Sequence, residues 1–128
     1  AHTTNDVVVY CERRKLLMTG DIVFLGSHPV LFAKSGCNVA SWINVLDSLY
    51  NRYAIDVLVP GHGKVTDRSG LLAMKEYFTS ITESIGNPEK QAELKKKYKD
   101  YFSMPGISSF DKTLKFIEKE RAESEGGK

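Results

Sequence analysis

Val57-Leu58-Val59-Pro60-Gly61-His62-Gly63 decides the reading of this chain. Its three apolar residues, with Ile55 ahead of them, have the length and branching of a short buried strand over 55–59. Pro60 and Gly61 are expected to stop that strand, because proline withholds a ladder donor and glycine permits a sharp bend. His62 then sits on a turn at a strand end, where a rigid sheet holds polar side chains in converging positions. Upstream, Leu16-Leu17-Met18-Thr19 reads as another strand, and Thr19-Gly20-Asp21 ends it with a carboxylate beside a glycine. Earlier still, Val7-Val8-Val9-Tyr10 is apolar without alternation, so it is expected to be covered on both faces. Glu12 to Lys15 is the polar connection between these two runs, and His2 stands just before the first.

Between the strands lie helices. Asn38 is a capping residue, and Val39, Trp42, Ile43, Leu46, Leu49, Tyr50 and Tyr53 follow the spacing of one apolar helix face, which makes Trp42 a core residue. Leu71, Met74, Phe78, Ile81 and Ile85 mark a second amphipathic helix over 67–85. Asn87-Pro88 restarts a helix, Met104-Pro105-Gly106 breaks it, and Ser108 with Asp111 reads as the capping start of a last helix through 121. Residues 22–32, with Gly26 and Pro29, read as an irregular loop at a site edge, and His28 within it as a surface residue. Strand–helix alternation makes residues 1–86 α/β, with 87–122 a helical extension. Residues 123–128 are small and charged and are expected to fray.

Composition removes several classes. The chain has 128 residues, enough for one domain or part of a larger one, and 41% are hydrophobic, which is ordinary for a globular core. A net charge of +2, with both signs mixed, gives no general attraction to nucleic acid or anionic membrane. Lys95-Lys96-Lys97 and Lys99 alternate with Glu93 and Asp100, the pattern of a solvated helix face. No apolar run approaches the roughly 20 residues of a membrane span. Cys11 and Cys37 form no CxxC pair and read as free thiols.

His2, Asp21 and His62 share one property: each lies at or beside a strand end, next to a small or turn residue. Imidazole with carboxylate suits zinc, iron or manganese. Lys34, Ser35 and Gly36 occupy a loop that is a candidate border for a substrate. The order and spacing of three motifs, His2-Thr3 before Asp6 to Tyr10, then Leu17 to Asp21, then Val57 to Gly63, resemble the later half of the metallo-β-lactamase superfamily. The resemblance covers residues 1–66 closely and extends loosely to the helix after His62.

That resemblance implies half of an αβ/βα sandwich, with an extra C-terminal helical region. It implies that His2 is the third histidine of one metal site, Asp21 the carboxylate bridging two metals, and His62 the last histidine of the second site. Two divalent ions, zinc first among them, are the implied cofactors. The implied chemistry is attack by a metal-held hydroxide on an ester, thioester, amide or phosphodiester in a small-molecule substrate. The superfamily's earlier His-x-His-x-Asp-His cluster has no counterpart here, so no catalytic residue is assignable and the chain alone is expected to be inactive. The expected partner is the absent N-terminal half, or a second copy in a homodimer, since one sheet face would otherwise lie bare. The competing expectation is a non-catalytic α/β module that pairs through that face.

Overall fold

The structure, a computed structural model, describes residues 1–127. Three strands form one sheet in the order β1 (Val9–Cys11), β2 (Leu16–Phe24), β3 (Val57–His62), with β1 antiparallel and β3 parallel to β2. A tight turn over Glu12–Arg14 links the first two, closed by Lys15 at φ 45°. The parallel step from β2 to β3 needs a crossover, supplied by α1 (Val39–Arg52). Three more helices follow: α2 (Ser69–Glu83), α3 (Pro88–Lys97) and α4 (Phe110–Gly126).

Both site-bearing strands run further than expected. β2 does not stop at Thr19 but continues to Phe24, and β3 carries Pro60, Gly61 and His62 within it. Gly20, at φ +52°, absorbs a register shift against β3, so the strand bends without ending. Pro60 pairs opposite this irregularity, where its lack of an N–H is tolerated.

The sheet has one covered face. Leu17 and Leu58 are fully buried beneath α1 and α2, together with Trp42, Leu46, Leu71, Met74, Phe78 and Ile81. Trp42 is a core residue, as its spacing indicates, and its indole N–H donates to the Ile22 carbonyl at 2.8 Å. The alternate positions face away. Val9 pairs with Met18 and Met18 with Val59, and Val7, Val9 and Met18 are 75%, 55% and 42% exposed. The first strand is therefore not covered on both faces, because strand alternation sends successive side chains to opposite sides and helices cover only one.

Caps fall where short polar side chains allow. The Asn38 side chain accepts from Ser41 N at 2.7 Å, and Asn87 accepts from Lys90 N at 3.1 Å with Pro88 in the first turn. The cap of α4 is Ser109 and not Ser108, whose hydroxyl instead accepts from Met104 N at 3.0 Å. The same helix extends beyond residue 121 to Gly126, supported by Arg121–Glu125 and Lys119–Glu123 pairs one turn apart, so residues 123–126 are helical. Lys128, the end of the expected frayed tail, lies outside the described residues.

The extension packs on the main body. Leu94, Tyr98, Phe110 and Ile117 join the same core as Leu17 and Trp42. His28, expected at the surface, is only 4% exposed. The stretch after β2 is covered by the chain near Phe102: Phe102 N donates to the Gly26 carbonyl and His28 N to the Phe102 carbonyl, both at 2.9 Å. That cover comes from residues more than 70 positions away in sequence, which local composition does not reveal.

Candidate metal site at the sheet edge

The parallel pairing of β2 and β3 brings Asp21 and His62 together toward the carboxyl ends of their strands, where open α/β sheets form their clefts. Asp21 Oδ1 lies 3.3 Å from His62 Nε2, and Asp21 Oδ2 lies 4.0 Å from His2 Nδ1. The three residues named from sequence thus meet in one space, with the carboxylate between two imidazoles. His2 is the most enclosed of the three, while Asp21 and His62 are almost half exposed.

The glycines of the Pro-Gly-His-Gly motif make this approach possible. A Cβ on Gly61 would lie 2.5 Å from the Gly20 carbonyl carbon and 2.7 Å from Asp21 Oδ1, so any side chain there would force the strands apart. Gly63 adopts φ +104°, with the Leu25 carbonyl oxygen 2.5 Å from where its Cβ would be. The close fit lets Leu25 N donate to the His62 carbonyl at 2.9 Å, fixing the backbone of the histidine itself.

Aromatic side chains set the ring orientations. Phe24 stacks flat on His62, with centroids 4.4 Å apart and planes within 6°. The His2 ring meets Trp42 edge-on at 5.6 Å and tilts against Phe24 at 5.9 Å. Asp6 is a further site neighbour that the sequence reading did not single out. It accepts from Thr3 N and Thr3 Oγ1, both at 2.8 Å, and its carboxylate stands 4.0 Å from His2 Nδ1. The Thr3-to-Asp6 spacing was the available signal for this turn, which tethers the segment carrying His2. Phe24 carries no such signal, because it falls in the stretch 22–32 whose Gly26 and Pro29 predict an irregular loop.

The donor types fit a divalent cation. Two ligands on one tetrahedral zinc, each about 2.0–2.2 Å from it, stand roughly 3.3–3.5 Å apart, which matches the Asp21–His62 separation. His2 stands wider. Among the described residues, no group of three or more His, Cys, Asp or Glu side chains is close enough to enclose a metal. Cys11 and Cys37 are both free thiols. Lys34, Ser35 and Gly36 are tied to the His2 segment through a hydrogen bond from Thr4 N to the Ser35 carbonyl at 3.2 Å.

This geometry has clear relatives, although no family model matches the chain. The type 2 metallo-β-lactamase of Bacillus cereus is 33% identical over 72 residues, covering 56% of this chain and 28% of that protein. The type 2 metallo-β-lactamase of Bacillus sp. (strain 170) is 32% identical over the same length. Among solved structures, the crystal structure of VMB-1 matches 62% of this chain and 36% of its own, at 30% identity and TM-score 0.53. The metallo-β-lactamase from Pontibacter korlensis matches 61% and 37%, at 30% identity and TM-score 0.54. The chain therefore has the metallo-β-lactamase fold, represented by the sheet and helices of its C-terminal half, and spans little more than a quarter of the length of the curated relatives. A double mutant of the sec-alkyl sulfatase PisA1 matches 89% of this chain at TM-score 0.59 and 15% identity, a likeness of fold alone. That coverage exceeds what residues 1–86 could supply, so part of the helical extension has a counterpart in another protein of this fold.

Proposed function

We propose that this chain forms one side of the active site of a metal-dependent hydrolase, with His2, Asp21 and His62 as metal ligands. One observation carries the reading: the two oxygens of Asp21 address two different imidazoles, the placement needed by a carboxylate shared between two ions. A divalent metal, zinc first among the ions these donors suit, would be held by these residues and would supply an activated water and polarise the carbonyl or phosphoryl oxygen of a small-molecule ester, thioester, amide or phosphodiester. The chain's own residues hold and orient: Phe24 and Trp42 fix the imidazole rings, and Gly61 lets Asp21 approach His62. Three donors are too few for two catalytic ions, each of which takes about three protein ligands and a water. The others belong to the earlier part of the domain that the fold implies. Titrating zinc into this chain, observed through the imidazole resonances by NMR, tests the assignment. Weak binding that shifts His2 and His62 and is reduced in Asp21→Asn is expected, with no ester or lactam hydrolysis above a blank. Zinc that leaves both rings unmoved overturns the ligand assignment, and chelator-sensitive turnover by the chain alone overturns its incompleteness.

The uncovered sheet face supports a second proposal, for the partner. Val9, Met18 and Val59 form a cross-strand apolar row, flanked by Cys11, Leu16 and Val57. We propose that the earlier half of the domain packs a second sheet against this row, and that a second copy takes its place when that half is absent.

A further inference from the structure

We propose that a groove between residues 29–32 and α4 binds an anionic amphiphile, a single unbranched alkyl chain ending in a carboxylate. The inference is independent of the metal reading, because the groove contains none of its residues.

The cavity measures about 380 Å³ and is bounded by the Pro29 to Phe32 stretch, the Gly106-Ile107 turn and one flank of α4. That volume lies at the small end of the range for small-molecule sites, too little for a helix but sufficient for one alkyl chain. Leu31 and Phe116 are half-buried and form its floor. Phe32 and Ile107 remain 54% and 44% exposed on its walls, so an apolar occupant would remove both from water.

The charge is one-sided. Lys112, Lys115 and Lys119 follow one another at three- and four-residue steps and so form a single stripe beside the groove, and no carboxylate lines it. Among the described residues Lys112 and Lys115 form no ion pair, and Lys119 has only a loose contact of 3.8 Å to Glu123. A row of like charges at these steps repels itself, and an anionic head group would relieve that repulsion while its tail removed Phe32 and Ile107 from water. Apolar floor on one side and a stripe of ammonium groups on the other match one occupant with both properties.

The test is titration of the chain with decanoate below its micelle-forming concentration, followed by backbone amide NMR. Acetate, decanol and anionic phospholipid vesicles serve as comparisons. Saturable shifts confined to residues 29–34, 106–107 and 112–119 are expected with decanoate. Decanol should bind about tenfold more weakly and acetate not measurably, since each lacks one of the two contacts. Lys115→Gln with Lys119→Gln should weaken decanoate about tenfold, and Phe32→Ser by a similar factor. All three positions are exposed, so these variants should unfold at the same denaturant midpoint as the parent. No saturable binding, equal binding of acetate, or shifts outside this groove would overturn the proposal. Binding to vesicles without binding of monomeric decanoate would overturn it too, by making the patch a membrane contact.

Discussion

Gly61 shows how much of the site depends on one missing atom. A methyl there would meet the Gly20 backbone and the Asp21 carboxylate at once. Gly61→Ala is expected to lose about 1–3 kcal/mol of stability, measured by urea unfolding, and to weaken zinc binding, because relief of the overlap separates Asp21 from His62. His28 makes a different argument. The Tyr77 hydroxyl donates to Thr113 Oγ1 at 3.3 Å, and Thr113 Oγ1 donates to the Ser109 carbonyl at 3.2 Å. His28 Nδ1 and the Tyr77 hydroxyl share a hydrogen bond across 2.7 Å, so the ring completes a chain from β2's end to the start of α4. Burial lowers the His28 pKa from its ordinary 6.5, and Asp111 opposes this only in part. Above 6.5 neither the folded nor the unfolded state holds the extra proton. As pH falls from 6.5 toward the lowered folded value, the unfolded chain binds it first, so stability should decline through that window and level off below it. Urea midpoints measured across this range should show a slope that is smaller in His28→Asn; an equal slope in both proteins would remove His28 as its source.

At the scale of elements, α1 and α2 are clasped by Arg68. Its Nη2 donates to the Tyr50 carbonyl at 2.6 Å, near the end of α1, and its guanidinium lies over the Tyr50 ring at 3.7 Å. Arg68→Ala should cost about 1–2 kcal/mol in urea unfolding, and Arg68→Lys should recover little, since an ammonium cannot both stack flat and reach the carbonyl. Such a contact was not legible in the sequence, where Arg68 reads only as a charged residue near a helix start. The helices themselves were legible, because Val39, Trp42, Leu46 and Leu49 repeat at helical spacing and every one is buried. The meeting of His2, Asp21 and His62 could be inferred from three motifs in register. The extra length of β2 and β3 could not. Glycine and proline usually end strands, and here a register shift at Gly20 lets both strands pass through them. The covering of His28 by Phe102 was hidden for another reason: it joins distant parts of the chain, and periodicity speaks only of neighbours.

For the whole molecule, the two faces of the sheet have opposite histories. One is sealed by α1 and α2, while the other presents Val9 and Met18 to water, with the half-buried Val59 beside them. Light scattering of the isolated chain should show concentration-dependent dimerisation, abolished by Met18→Lys, which places a charge in the middle of the row. A chain that stays monomeric at high concentration would defeat the pairing through this face.

β2 does more than carry Asp21. Just past its end, Leu25 holds the His62 backbone, and one and three residues on, Gly26 and His28 are held by Phe102. Hydrogen exchange reads these contacts as two neighbouring openings: the amides of His28 and Phe102 are freed by parting the segment after β2 from the helical extension, and that of Leu25 by parting the same segment from β3. The protection factors of His28 and Phe102 should therefore move together, and a substitution that loosens the extension, Phe110→Ala for instance, should lower both by a similar factor and that of Leu25 by less. The protein's C-terminal helices would then act as a clamp on local breathing just beyond the edge where His62 sits.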